Sequence, residues 1–214
     1  MLVRSVTIAI LLVLSVGFAT VQGSEPRNSA EGASKPTAAK PVKMRTLDFS
    51  KGIDLQFLVK ELAIDLDLNV VFDPETTGRR TFVELENVSA TDAIDYILLQ
   101  EGLRFEEAGP KTIRIGSRIR TSIPQIGVGI LPISLEAVPD FGGKGGILIS
   151  AVSDNSPASK AGLRVGDSIV KLDGQPVRGM LGFYLAVCRN GNNEARLEIV
   201  RNHEAQTLSV TPTK

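Results

Sequence analysis

The sequence predicts an exported α+β protein with two small domains, and three observations support this prediction. An apolar N-terminal run is followed by a stretch rich in proline, serine and alanine. Residues 44–116 then alternate between strand-like and helix-like patterns, and Ser156 to Val170 has the pattern of a short helix, a glycine stop and a strand. A chain of 214 residues is long enough for one or two domains with proper cores.

The charge of the whole chain is balanced, with 24 basic and 24 acidic residues. This balance gives no argument for binding nucleic acid or a membrane surface. Residues 44–116 are acidic, with 8 basic and 14 acidic residues, whereas residues 124–214 have 9 and 8. Because Cys188 is the only cysteine, a disulfide framework is excluded. We expect a small buried apolar side chain at Cys188, with a reactive or intermolecular thiol as the alternative.

The first 23 residues have the pattern of a secretory signal. Arg4 precedes an uncharged run from Val6 to Ala19, and small residues near Gly23 allow cleavage before Ser24. The run is short for a membrane span, so membrane attachment is expected only if the signal stays as an uncleaved anchor. No cysteine follows it, which argues against a lipoprotein anchor. We therefore expect a periplasmic protein, with Ser24 to Lys43 as a flexible linker that cannot bury a core.

Residues 44–116 predict a small domain in the order β-α-β-β-α-β-β, with two helices on a sheet. Asp54 favours the start of the first helix, and Ser89 caps the second. The second helix has an apolar face of Ala90, Ala93, Ile94, Ile97 and Leu98. The predicted strands are Thr46–Phe49, Asn69–Phe72, Thr81–Leu85, and a closing hairpin of Leu103–Glu107 and Thr112–Ile115 around Gly109-Pro110.

The same segment resembles the secretin and TonB-receptor N-terminal domain, also called the STN or secretin N0-like domain. The residues that carry the resemblance are Leu47-Asp48-Phe49, the helix Leu55–Leu62, Leu68–Pro74, Val88–Ile94 and Thr112–Ile115. The resemblance implies a module that docks an envelope partner of the secretion or TonB type. It implies no catalytic residues.

After a short linker at 117–123, residues 124–214 predict a second, strand-rich domain. Ser156 is a good N-cap, Gly162 a good helix stop, and Gly166-Asp167 a turn into a strand. The predicted strands are Val128–Ile133, Gly146–Val152, Ser168–Leu172, Arg196–Arg201 and Ala205–Val210. A helix is predicted at Met180–Arg189. We expect a hairpin turn at Asn202-His203.

This segment resembles a PDZ domain of the form found in bacterial periplasmic proteases. The motifs that carry the resemblance are Gly127–Ile130, Gly146–Ile149, Ser156-Pro157-Ala158, Ala161-Gly162-Leu163, Val165–Ile169 and Leu172-Asp173-Gly174. The resemblance implies a partly open β-barrel with two helices that binds an extended chain end as an added strand.

The implied site has two sides. The loop residues Gly127, Val128, Gly129 and Ile130 would turn backbone N–H groups toward a carboxylate. Leu181 and Leu185, with Cys188 as a further candidate, would wall the groove from the Met180–Arg189 helix. The alternative is that these side chains only fill the core.

Pro132 departs from the family pattern on the strand that would pair with a guest chain. Proline has no backbone N–H to donate. We therefore expect weaker or register-shifted peptide binding.

No residue pattern supports catalysis, a metal or a cofactor. Gly142 to Gly146 lacks the spacing of a phosphate-binding loop. Asp65 to Asn69 begins like a calcium loop but lacks its later ligands. His203 is the only histidine and has no expected partner for metal binding or catalysis. A Ser-Lys hydrolase is left open, although no motif supports it.

The sequence as a whole therefore predicts a non-enzymatic adaptor that binds protein or peptide C-termini and docks an envelope component. The alternative is a regulatory or substrate-delivery subunit of a periplasmic protease.

Overall fold

The computed structural model describes residues 42–133 and 146–213. Outside these residues lie the predicted signal, residues 24–41 of the predicted flexible linker, and Gly142 to Gly145 of the glycine-rich loop. Among the described residues, none of the helices has the length and apolar character that a membrane crossing requires.

The first part of the described chain has the predicted order of strands and helices. Its elements are β1 (Met44–Asp54), α1 (Leu55–Ile64), β2 (Asn69–Phe72), a 3-10 turn (Pro74–Thr76), β3 (Arg80–Ser89), α2 (Ala90–Gln100), β4 (Arg104–Gly109) and β5 (Thr112–Gly116). The strands form two sheets, so the prediction of a single sheet was wrong. β2 pairs in parallel with β5, whereas β1 pairs with β3. The second sheet has the order β2-β5-β4.

Both predicted helix starts of this part are present. The Asp54 carboxylate accepts a hydrogen bond from the Phe57 N–H at 2.8 Å, and the Ser89 hydroxyl accepts one from the Asp92 N–H at 3.1 Å. Each bond satisfies one of the free N–H groups of a first helical turn. The predicted apolar face of α2 is fully buried.

The second part follows the predicted strands and main helix to within one residue at each end. Its elements are β6 (Ser122–Ile123), β7 (Val128–Ile133), β8 (Gly146–Val152), α3 (Pro157–Lys160), β9 (Ser168–Leu172), β10 (Gln175–Pro176), α4 (Met180–Asn190), β11 (Ala195–Arg201) and β12 (Glu204–Val210). Six of the strands form a sheet in the order β12-β11-β9-β8-β7-β6, and β10 pairs with β9. The strands β6 and β10 were not predicted.

The segment from Ser156 to Val170 has the predicted caps. The Ser156 hydroxyl accepts from the Ser159 N–H at 3.1 Å, and Gly162 has φ 83°, which suits glycine at a helix end. Asp167 is buried, where it accepts two hydrogen bonds of 2.7 Å from Arg201 and one from the Arg164 N–H. This pairing ties the turn before β9 to β11.

The two parts share one hydrophobic core. The described residues of both parts belong to one compact unit, and α2 packs against α4. The rings of Phe105 on β4 and Tyr184 on α4 lie 5.6 Å apart at an angle of 60°. Ile119, Thr121 and Ile123 of the predicted linker are buried. The connection between the parts is therefore packed and hydrogen-bonded.

Candidate peptide-binding site

The turn before β7 is fixed against α3. Gly127 has φ 73°, and a Cβ there would lie 2.4 Å from the Ser156 Cβ, so only glycine fits. The Gly127 carbonyl accepts from the Ser153 N–H at 2.8 Å, and the Ile126 carbonyl accepts from the Ala158 N–H at 3.0 Å. The Ser156–Val170 segment thus positions the loop that was predicted to bind a carboxylate.

The residues predicted to line the groove lie on β7, on the turn before it and on α4, which packs beside β7. Val128, Ile130 and Leu181 are buried, whereas Gly127, Gly129 and Leu185 are half-buried. The three buried side chains belong to the shared core. A peptide-binding role for these residues stays a prediction.

Cys188 lies on the last turn of α4 and is exposed, so the prediction of a buried cysteine was wrong. Partial desolvation and the charge of Glu107 raise the pKa of the Cys188 thiol, although the Tyr184 hydrogen bond acts in the opposite direction. The raised pKa keeps the thiol protonated and weakly reactive at neutral pH. Desolvation likewise raises the pKa of Tyr184.

The outer edge of β7 is covered by residues Thr121–Ile123, which we call the edge segment. The Ile130 N–H donates to the Thr121 carbonyl at 2.9 Å, and β6 pairs Ser122 with Gly129 and Ile123 with Val128. Sequence reasoning missed this segment because residues 117–123 were interpreted as a linker. The signal was an alternation from 118 to 123, in which Ile119, Thr121 and Ile123 are buried and the residues between them are exposed.

Pro132 lies on β7 opposite Ile147 of β8. As predicted from the sequence, it has no backbone N–H that could donate a hydrogen bond to a guest chain at the outer edge. Its neighbour Leu131 is 42% exposed.

An open cleft of ≈ 1110 Å³ lies along the loop and the start of β8. Its lining includes Arg104, Arg120 and Lys160, together with Gly129 and Ser150. Gly127, Val128, Gly129 and Ile130 of the predicted site all line this cleft, whereas Leu181 and Leu185 do not. The cleft therefore includes the predicted loop but not the predicted α4 wall.

The N-terminus of α4 is capped from the other part of the chain. Gly179 at the N-cap position has no side chain to accept a hydrogen bond, and the carboxylate of Asp95 on α2 accepts from the N–H groups of Leu181 at 2.9 Å and Gly182 at 3.3 Å. Desolvation raises the pKa of Asp95 to about 7, while these two N–H groups act in the opposite direction. Sequence reasoning missed this contact, because it joins residues 86 positions apart.

Among the described residues, no group of three or more His, Cys, Asp or Glu side chains is arranged to hold a metal ion. His203 lies in the predicted turn between β11 and β12, with φ 66°.

These features are those of a PDZ domain, and a family model described as PDZ domain matches residues 114–211. The chain therefore contains a PDZ domain, preceded by a part to which this match does not extend.

Two curated relatives match the same region. A regulator of sigma-E protease, RseP, from Salmonella typhimurium (strain 14028s / SGSC 2262) is 46% identical over 65 residues, which is 30% of this chain and 14% of the relative. A probable periplasmic serine endoprotease, DegP-like, from Pseudomonas putida (strain W619) is 35% identical over 89 residues, which is 40% of this chain and 19% of the relative. The matches thus span less than a fifth of these longer proteins.

A solved structure also resembles part of the chain. It is the PDZ domain of HtrA3 bound to a phage-derived ligand, FGRWV, with 29% sequence identity and a TM-score of 0.36. The match covers 41% of this chain and 82% of that one.

Proposed function

We propose that this protein is a non-enzymatic adaptor of the bacterial envelope. In this proposal the PDZ domain binds C-terminal or extended peptide segments, and residues 44–116 dock a second envelope component of the secretion or TonB type. The observation that carries the proposal is the PDZ match over 114–211, in which β7 lies beside α4. A strand and a helix in this arrangement can accept an extended peptide by strand addition.

The envelope location is supported by the predicted signal and by the relatives, which are named as periplasmic or sigma-E-related proteases. Docking by residues 44–116 rests on their resemblance to STN domains. The absence of enzymatic activity is proposed because the matches to proteases are confined to the PDZ region.

Peptide binding is tested with the full chain and fluorescein-labelled peptides that end in either a free carboxylate or an amide. We expect the carboxylate form to bind and Leu185→Glu to weaken binding at least about tenfold, because a charge at the wall of the groove is costly to desolvate. Asn192→Glu, which places the same charge at an exposed position just after α4, is the control and should leave binding unchanged. Equal binding by wild type and Leu185→Glu would argue against the groove.

Pro132→Ala tests the role of the proline on β7. Alanine supplies an N–H on the strand, and one additional hydrogen bond to a guest chain should increase its affinity by roughly three- to tenfold. Unchanged affinity would mean that a guest does not pair at this position.

The names of the relatives favour a second candidate, a regulatory or substrate-delivery subunit of a periplasmic protease. The two candidates differ in their partners. Photo-crosslinking from Leu131 in the native envelope should capture a secretion or TonB-type component under the first candidate and a protease under the second. A crosslinker at Ser209, an exposed residue on β12, is the control. The second candidate would replace the adaptor proposal if this protein accelerates the cleavage of unfolded casein by the captured protease and Leu185→Glu abolishes the acceleration.

A further inference from the structure

The edge of β7 is the place where a guest strand would pair, and its donors are already used. Strand addition needs backbone N–H and C=O groups that have no partner along an edge. The Ile130 N–H donates to the Thr121 carbonyl, and Pro132, the next residue that faces the same way, has no N–H. β6 pairs with the remaining edge at Val128 and Gly129.

The loop predicted to hold a carboxylate is also occupied. The N–H groups of Gly127 and Ile126 both donate to the Ile123 carbonyl, at 2.8 and 3.2 Å. A carbonyl oxygen of the chain itself therefore lies where the oxygen of a guest carboxylate is expected. The edge segment runs antiparallel to β7, and the C-terminal residue of the segment, Ile123, meets the loop. A guest chain whose C-terminus binds the loop would have the same orientation.

The edge segment is fixed from its other side by the first part of the chain. The Thr121 hydroxyl accepts a hydrogen bond from the Phe105 N–H of β4 at 3.3 Å. Ile119, Thr121 and Ile123 are buried, with Ile123 fully inaccessible to solvent. Removal of the segment would therefore break hydrogen bonds and expose apolar side chains on both parts.

We infer that the edge segment, Thr121–Ile123, is an internal ligand that closes the β7 edge, and that a guest chain binds only after this segment leaves. This inference rests on the proposed function, because it describes the regulation of the same groove. Guest affinity is then reduced by the fraction of molecules in which the edge is open.

A disulfide can hold the segment in place. Hydrogen-bonded and non-hydrogen-bonded pairs alternate along an antiparallel ladder, and Thr121 and Ile130 form a hydrogen-bonded pair. The next pair, Ser122 and Gly129, is therefore a non-hydrogen-bonded pair, whose Cα atoms lie close enough for a disulfide. The variant is Ser122→Cys with Gly129→Cys in a Cys188→Ser background. The probe is a fluorescein-labelled peptide with the sequence of residues 118–123, RIRTSI, ending in a free carboxylate.

We expect the reduced protein to bind this peptide and the oxidised protein to bind at least about tenfold more weakly. The matched control places a disulfide between Arg196→Cys and Ser209→Cys, an exposed pair of β11 and β12 distant from β7 in the sheet order. Arg196 directs its N–H and C=O to Asp173, so this pair is also not hydrogen-bonded to each other. Oxidation of the control should leave peptide affinity unchanged.

Thr121→Val tests the opposite change. Valine has the same shape but gives the Phe105 N–H no acceptor, which weakens the hold on the segment. Peptide affinity should then increase by roughly three- to tenfold.

The outcomes separate the inference from the proposed function. Equal binding by the oxidised and reduced forms overturns the inference and leaves the proposed function standing. If no form binds, including Thr121→Val, while the thermal unfolding transition remains cooperative, the groove does not take peptides. In that case the proposed function fails and the inference fails with it.

Discussion

Two carboxylates, Asp167 and Asp95, fix backbone turns in this protein, and they do so in different ways. Asp167 lies within the PDZ domain, is 1% exposed and is paired with the Arg201 guanidinium and the Arg164 N–H. Asp95 is half-buried on the other part of the chain, and among the described residues it accepts from backbone N–H groups at the start of α4. Desolvation raises its pKa to about 7, although these N–H groups act in the opposite direction.

The difference shows how each contact is encoded. Asp167 follows Gly166 in a local turn, and its partner lies on a strand of the same sheet. Asp95 supplies the cap that Gly179 cannot, across the contact between α2 and α4. The first contact stabilises a domain, whereas the second makes the α4 helix of that domain depend on the preceding part of the chain.

The largest effect is expected for Asp167→Ala. This change removes a carboxylate that is 1% exposed and leaves the Arg201 guanidinium, which is 17% exposed, without its anionic partner. Loss of one partner from a buried ion pair costs about 3–5 kcal/mol. The free energy of unfolding from urea titration measures this loss. Arg196→Ala, at an exposed position on the same strand, should change it by less than about 0.5 kcal/mol. A small loss for Asp167→Ala would contradict a stabilising role for the pair.

Gly179→Ala should have the next largest effect. A Cβ at this position would lie 2.3 Å from the Asp95 Oδ2, so the carboxylate must move away from the N–H groups of α4. We expect a loss of about 1–3 kcal/mol in urea-induced unfolding.

Gly182→Ala is the matched control for this change. Its Cβ would lie 3.4 Å from the Thr91 Cγ2, an ordinary contact, and alanine favours the helix by about 0.5–1 kcal/mol. Equal losses from both substitutions would show that crowding of Asp95 is not the cause.

Asp95→Asn should change the pH dependence of stability. The folded-state pKa of about 7 lies above the ordinary value of 3.8, so folding favours the protonated carboxyl. The stability that this group contributes is present below the ordinary pKa and is lost as the pH rises through about 7.

Asparagine does not titrate, so the variant should lose less stability than wild type between about pH 4 and pH 8. Thermal unfolding at a series of pH values measures the two slopes. Parallel slopes for the two proteins would mean that Asp95 does not titrate in this range.

The smallest effect is expected for Arg178→Ala. Arg178 lies 3.4 Å from the Asp92 carboxylate, which is on α2 like Asp95, but its side chain is 64% exposed. Exposed ion pairs contribute about 0–1 kcal/mol, and salt screens them further. Unfolding at low and high salt should therefore show a small loss that salt removes. A loss as large as that of Gly179→Ala would mean that charge pairing, not the Asp95 cap, holds α2 and α4 together.

Local sequence patterns predicted most of the strands and helices. Ser156, Gly162, Ser89 and Asp54 cap or end helices through bonds within a few residues, so their roles could be read from short stretches. The residues of the candidate groove were also located from a local motif. The burial of three of them was left open, because a sequence does not show which apolar side chains face a groove and which fill the core.

The separation into two sheets and the exposure of Cys188 could not be predicted in the same way. The parallel pairing of β2 with β5 joins Asn69 to Thr112, and the pattern of each strand alone does not specify this partner. Cys188 occupies the last turn of α4, and its exposure depends on how α4 packs against the rest of the chain.

The elements, their caps and the PDZ motif depend on periodicity and on hydrogen bonds between near neighbours, so they could be predicted from the sequence. The state of the groove depends on tertiary contacts. The pairing of Thr121 with Ile130 and of Asp95 with Leu181 depends on how the first part of the chain packs against α4 and β7. The Asp95–Leu181 contact joins residues 86 positions apart and leaves no local pattern. The Thr121–Ile130 pairing lies close in the sequence, but the alternation of residues 118–123 does not specify β7 as the partner.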